Sequence, residues 1–335
     1  MRLVFATLLA LSPLSARADA VIERVLADAV LPAVASFASA TQALSEAAKA
    51  DCTPQSAALL TAWNGAMDAW FGIQDLRFGP LEDGARRQVI AYWPDNAGHR
   101  PRALARILSG QDPILKTPEK YEGESVSARG LYALETMLYD PDFNSYTSAD
   151  PGCALVKAAA ADLANTGAKL QAAWSNDFVE TMQSAGSAKN ARFFDAAEVR
   201  QVIFTALIVS LQFDIEERLG LPMGSFDKPR PLRAEGRLSQ RSQRNLELSL
   251  AGHEALARAM LPEGKEALGT LEDFERARFM AKSLGDADFA SVATPAGRFK
   301  LESLQTALTL LRTTANAELS AALDVRMGLN ALDGD

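Results

Sequence analysis

Three observations predict an all-α fold. Apolar residues recur at helical spacing along most of the chain, alanine is abundant throughout, and alternating β-branched runs are nearly absent. In the first helical stretch Val21, Ile22, Val25, Leu26, Val30, Val34 and Phe37 share one face. Leu59, Leu60, Trp63, Met67 and Trp70 form the stripe of a second, which Thr53-Pro54 opens as N-cap and first-turn proline. Ser127 to Tyr139 follows the same period. A longer helix is predicted from Cys153 to Gln183, with Leu163, Leu170, Trp174 and Phe178 inward. Ala196 to Leu219 carries Val199, Val202, Ile203, Ala206, Ser210 and Phe213. Three more helices are predicted over Ser239 to Met260, Leu271 to Ser283 and Thr294 to Met327.

Breakers separate these stretches. Phe78-Gly79-Pro80, Trp93-Pro94-Asp95-Asn96, Asp140-Pro141-Asp142 and Leu221-Pro222-Met223-Gly224 are loop signals. Ser225 to Glu235, rich in proline and basic residues, reads as an extended crossover. Long helices joined in this way predict helical bundles. With the boundary in the loop from Asp140 to Pro151, residues 19–150 form one bundle and residues 151–335 a second, packed side by side. No repeat of 20 to 50 residues argues for a solenoid.

The chain opens in the pattern of a secretory signal. Arg2 is followed by an apolar run from Leu3 to Leu14 and by Ala16-Arg17-Ala18, a small-residue cleavage site; Ala18-Asp19-Ala20 is a second one. The run is too short to span a bilayer, and no cysteine follows where a lipid anchor would need one. A signal peptide over residues 1–18 and a soluble, exported mature chain are therefore expected. Loss of Arg2 and Arg17 would take the formal charge from −8 to −10, which argues against a nucleic-acid partner. Cys52 and Cys153 are the two cysteines, and in an oxidising compartment they are expected to pair. Closing so long a loop stabilises a fold by up to about 4–5 kcal/mol on the chain-entropy argument.

The segment Gly130-Leu-Tyr132-Ala-Leu-Glu135 places a phenol and a carboxylate three residues apart, on one helix face. As phenolate and carboxylate, Tyr132 and Glu135 are hard oxygen donors suited to ferric iron. Alternatively Tyr132 packs in the core with its hydroxyl bonded to Glu135 or to a backbone carbonyl. His99 and His253 are the only histidines. His253-Glu254 begins like a zinc-peptidase motif, but Ala257 stands where its second histidine belongs. Both histidines are expected at the surface or in caps, with no serine placed beside either. No G-x-S-x-G elbow is present.

Two further clusters qualify as binding candidates. Trp70, Asp75, Arg77, Pro80 and Glu82, with Trp93-Pro94-Asp95, could line a ligand cleft whose arginine takes an anion, or be helix-end packing with a surface ion pair. Ser239, Arg241 and Ser242 could hold an anion at a helix start, or Ser239 could simply be the N-cap. The terminal Asp333-Gly334-Asp335 reads as a frayed end.

Taken in order, these segments resemble the imelysin family. The resemblance runs through Trp63 and Trp70, Arg77-Phe-Gly-Pro80, Tyr92-Trp93-Pro94, Gly130 to Glu135, Leu221-Pro-Met-Gly224, Arg237 to Ser242 and Gly328 to Asp335. Gly130 and Glu135 match the family's G-x-H-x-x-E signature, and Tyr132 replaces its histidine. The resemblance implies an all-helical envelope or periplasmic protein of two bundle-like domains, with its site near their interface, and a link to iron uptake. Iron or a small iron-related or anionic ligand would be the expected partner, together with an inner-membrane or envelope component of iron uptake. Glu135 and Tyr132 would be the metal-side residues, Gly130 structural, and Trp70, Arg77, Trp93, Arg241 and Ser242 further ligand contacts. A metal-dependent peptidase is the alternative, weakened by Tyr132, and a non-catalytic interaction module is a second.

Overall fold

The computed structural model describes residues 19–109 and 113–327. The expected signal segment and the terminal Asp333-Gly334-Asp335 lie outside the described residues. Among the described residues nine α-helices of ten or more residues carry the architecture: α1 Leu31–Ala50, α2 Ala57–Ile73, α3 His99–Leu108, α4 Gly130–Tyr139, α5 Pro151–Ala173, α6 Ala196–Phe213, α7 Ser242–Met260, α8 Leu268–Lys282 and α9 Pro295–Leu323. Among the described residues there is no strand, and the protein is all-α.

Side-chain caps open three of these nine helices. Asp195 begins α6 by accepting the Glu198 N–H, and Thr294 begins α9 by accepting that of Gly297. At α2 the cap is Ser56, not Thr53: the Thr53 hydroxyl donates to Asp51 within the preceding turn, leaving Ser56 to accept from the Leu59 N–H. Three wide π-type turns extend the helices: Val25–Val30 ahead of α1, Trp174–Phe178 after α5 and Asp214–Leu219 after α6. Such turns displace side chains from the regular helical stripe. The third of them places Asp214 and Arg218 in the interior.

Two rings of four helices result. In the first, α1 packs on α2 and α5, and α4 closes the ring between α2 and α5. In the second, α6, α7, α8 and α9 close in the same way. The rings meet along α2 and α7. Gly252 permits that approach, since a Cβ there would lie 2.7 Å from the Phe71 carbonyl oxygen.

One feature departs from the predicted boundary at residue 150. Helix α5, expected to open the second bundle, has its longest seam with α1 of the first. The connection between the rings comes only after Gln183. The physical reason is the apolar face of α5, where Leu155, Val156, Ala159, Leu163 and Leu170 are buried, together with a covalent tie. Cys52 and Cys153 form a disulfide with a Cα–Cα distance of 5.2 Å across a separation of 101 residues, joining the end of α1 to the start of α5.

Because the bridge closes so long a loop, Cys52→Ala/Cys153→Ala is expected to lose up to about 4–5 kcal/mol of unfolding free energy in urea titrations. Added reductant should bring the parent chain down toward the variant and leave the variant unchanged.

Candidate functional site

Helix α4 enters the interior at Gly130, whose φ is +73°. A Cβ there would lie 2.2 Å from the Val89 carbonyl oxygen and 2.3 Å from that of Ile90. Only glycine allows this approach. Residues 130 to 138 are all buried, and the Trp63 indole N–H donates to the Leu131 carbonyl at 3.0 Å.

From this helix a continuous polar network crosses between the rings. The Tyr132 hydroxyl donates to Glu235 Oε1 at 2.5 Å, and Glu235 Oε2 accepts from Arg218 Nε at 2.5 Å. Arg218 also pairs with Asp214 and donates to Gln74 Oε1 at 2.6 Å and Ser249 Oγ at 3.1 Å. His253 closes the chain, with Nδ1 2.5 Å from Asp75 Oδ2 and Nε2 3.1 Å from Asp214 Oδ2. Burial opposes charge on the His253 ring, but Asp75 and Asp214 on either side outweigh it and raise its pKa to about 9. Burial likewise opposes charge on Asp214, and Arg218 and His253 hold its pKa down at about 2. For Tyr132, burial and then the Glu235 charge push the phenol well above its usual range, so it remains a neutral donor.

Tyr132 and Glu135 thus share a helix face but serve different partners. Glu135 Oε1 accepts from the Ser239 backbone N–H at 3.1 Å and its hydroxyl at 2.7 Å. Burial raises the Glu135 pKa against these bonds. Ser239 is therefore not the expected N-cap; α7 begins at Ser242, and the Ser239 hydroxyl is committed to the motif carboxylate.

The expectation for the histidines holds for His99, which is exposed at the start of α3, and fails for His253, which is 0% exposed. A serine does stand beside it: Ser249 Oγ is 3.0 Å from His253 Nε2. With Asp75 on the other ring nitrogen this has the outline of a Ser-His-Asp triad. Its chemistry differs. The ring lies between two carboxylates that keep it protonated, so it has no lone pair to accept the serine proton. Ser249 already accepts from Gln74 and donates to Asp214, and it is fully buried. The constellation is a structural ion network.

Beside the network lies a cavity of about 300 Å³ lined by Trp70, Arg77, Arg87, Trp93, Phe213 and Arg218. A second cavity, of about 230 Å³, opens on the other side of Trp93-Pro94 and reaches Arg100, Glu135 and Asp140. Of the residues singled out from sequence, the first cavity brings together Trp70, Arg77 and Trp93. Arg241 is elsewhere: it bonds Asn64 and pairs with Asp68, and its guanidinium sits 5.9 Å from the Trp63 ring centroid. Ser242 is buried beside it, and its hydroxyl makes no hydrogen bond. Sequence reasoning missed Arg87, Arg218, Phe213 as a cavity wall, and the Asp75–His253–Asp214 bridge. Arg218 carried no distinguishing signal, since it stands in the charged stretch Asp214-Ile-Glu-Glu-Arg218 at the end of an apolar helix.

A family model described as Imelysin, under a peptidase label, matches residues 30–315. A search of curated proteins finds no match. Among solved structures the chain is similar to an imelysin-like protein from Psychrobacter arcticum 273-4, with 19% identity, a TM-score of 0.74, and coverage of 92% of this chain and 96% of that one.

The pKa shifts fix how stability should respond to pH. The His253 contribution is complete below pH 6.5 and is lost as pH rises through about 9; that of Asp214 is complete above pH 3.8 and is lost as pH falls through about 2. The melting temperature should decline between pH 6.5 and 9, and His253→Gln should flatten that limb while lowering the plateau. Gly130→Ala should be strongly destabilising, by several kcal/mol, since the added methyl meets backbone oxygens; chemical unfolding measures it.

Proposed function

The chain belongs to the imelysin family, and from that premise we propose that it is a periplasmic binding protein of iron acquisition. Its ligand, a small iron-related anion, would sit in the cleft beside Trp93. One observation carries the reading: the polar atoms of the motif helix are satisfied by the chain itself, while Arg77 and Arg87 face the neighbouring cavity with no carboxylate hydrogen-bonded to either.

A bare iron ion fits the motif residues poorly. Tyr132 is held as a neutral donor to Glu235, and the Arg100 guanidinium lies 5.4 Å from its ring centroid. Among the described residues no group of three or more His, Cys, Asp or Glu side chains converges to hold a metal. Iron would therefore enter as cargo already chelated by an anion, which guanidinium groups can recognise. Tyr132 takes the orienting role, through Glu235 and Arg218. Peptide hydrolysis lacks support, because His253, the histidine that stands beside a serine, is locked between two carboxylates. Export is supported by the N-terminal pattern and by the disulfide, a bond that persists in oxidising compartments. An envelope component of iron uptake would be the protein partner.

Thermal shift and calorimetry with ferric citrate, ferric salt and ferrous salt test the reading. Ferric citrate should saturate near one per chain and stabilise by about 2.7 kcal/mol at a hundredfold excess over Kd; the free ions should not. Chelator-sensitive cleavage of casein by the purified chain would replace the reading with a peptidase.

A further inference from the structure

We propose that Arg77 and Arg87 form an oxyanion site for a small polycarboxylate, and that the site takes it whether or not a metal is attached. The proposal rests on the reading of this cleft as the ligand site and names the chemistry that fills it.

The charges carry the argument. Around the cavity and the network behind it, Arg77, Arg87, Arg218 and His253 face three carboxylates, Asp75, Asp214 and Glu235. Arg218 and His253 bond all three carboxylates, and of Asp75 only Oδ2 is engaged, its Oδ1 being buried without a hydrogen bond among the described residues. Arg77 is left with a 3.2 Å bond from Nε to Ser210 Oγ, and Arg87 with a 2.5 Å bond from Nη1 to the Gln74 carbonyl. Both accepting groups are neutral. Asp75 and Glu82 act on the pair only through space, Glu82 from an exposed position. Two partly desolvated guanidiniums beside each other are unfavourable without an anion: burial, and for Arg87 next the charge of Arg77, lowers the Arg87 pKa to about 9.

The walls point to an organic anion. The Arg77 guanidinium lies 4.8 Å from the Phe213 ring centroid, and that of Arg87 lies 5.5 Å from Trp70. Trp93 meets Phe213 edge-on at 5.9 Å. Aromatic faces hold the guanidiniums in place and offer apolar surface to a carbon skeleton. Planar carboxylates match two guanidinium forks, and about 300 Å³ suits a molecule of a dozen or so heavy atoms. A second carboxylate could reach Arg100 past Trp93, where the buried Arg100 Nε makes no hydrogen bond.

The test is calorimetry of the mature chain with metal-free citrate, tricarballylate, phthalate and inorganic phosphate. A polycarboxylate should saturate near one per chain. Arg77→Gln and Arg87→Gln should each weaken it roughly 10–100-fold, and Arg276→Gln, exposed on α8, should not. Arg87→Lys keeps the charge and loses the fork, so it should retain part of the affinity; near-native melting curves establish that the variants fold. No saturable polycarboxylate binding, or binding indifferent to both Gln variants, overturns the proposal, as does saturation by phosphate alone. Ferric citrate binding without metal-free citrate binding would sink this inference and leave the iron reading standing. Metal-free binding alone would do the reverse.

Discussion

Arg218 is the constraint around which the two rings are arranged. Its guanidinium is buried, and it satisfies Glu235, Asp214, Gln74 and Ser249 at once. Removing one member of such a set leaves a charge uncompensated in the interior, a penalty of about 3–5 kcal/mol. Its partners come from the end of α2, the turn after α6, the crossover before α7, and α7 itself. A shift of any of these elements breaks a charge-assisted bond, so the network fixes the register between rings more sharply than apolar packing alone does. The π-type turn Asp214–Leu219 is what allows an acid and a base four residues apart to point into this seam rather than along the helix surface.

That constraint shapes the cleft. Gln74 is the shared hinge of the two regions: its side chain serves Arg218 and Ser249 inside the network, and its carbonyl accepts from Arg87 at the cavity wall. Tyr132 contributes from the far side. A phenol is long enough to reach Glu235 and, kept neutral by burial, it donates without adding charge. At the position where the imelysin signature has histidine, this chain uses a residue that supports a salt bridge. The motif helix therefore supports the cavity from behind, and Arg77, Arg87, Trp93 and Phe213 line it.

Much of the fold was legible in sequence because its signals are local. Apolar period and alanine content located the helices, and the cysteine pair was predicted and is bonded. The boundary was misplaced because a proline-rich loop marks a change of direction, not of partner: the apolar face of α5 belongs with α1, which no local signal reveals. The same limit governs the site. Trp70, Arg77 and Trp93 were identifiable as an aromatic and basic cluster. Arg241 was grouped with them on residue type, yet Asn64 and Asp68 of α2 hold it, and it does not line the cavity. His253 read as a surface residue because nothing in its neighbourhood announced Asp75, which lies 178 positions away and makes its charge tolerable.

Interior charge is unevenly compensated in this protein, and the unevenness is informative. Arg129 has Asp162 in a two-pronged pair at 2.8 Å, Arg218 has two carboxylates, and His253 has two. Arg77 and Arg87, in the same stretch of chain, have neutral acceptors only. A chain with an excess of acidic residues had carboxylates to place there. Aromatic faces stabilise a guanidinium by about 0.5–2 kcal/mol each, enough to hold the pair in position but less than a buried ion pair would supply. The local instability left over is available to a bound anion, because each charge-assisted bond it forms meets a group already desolvated and oriented. On the proposed reading of the cleft, stability is withheld where the ligand binds and secured elsewhere.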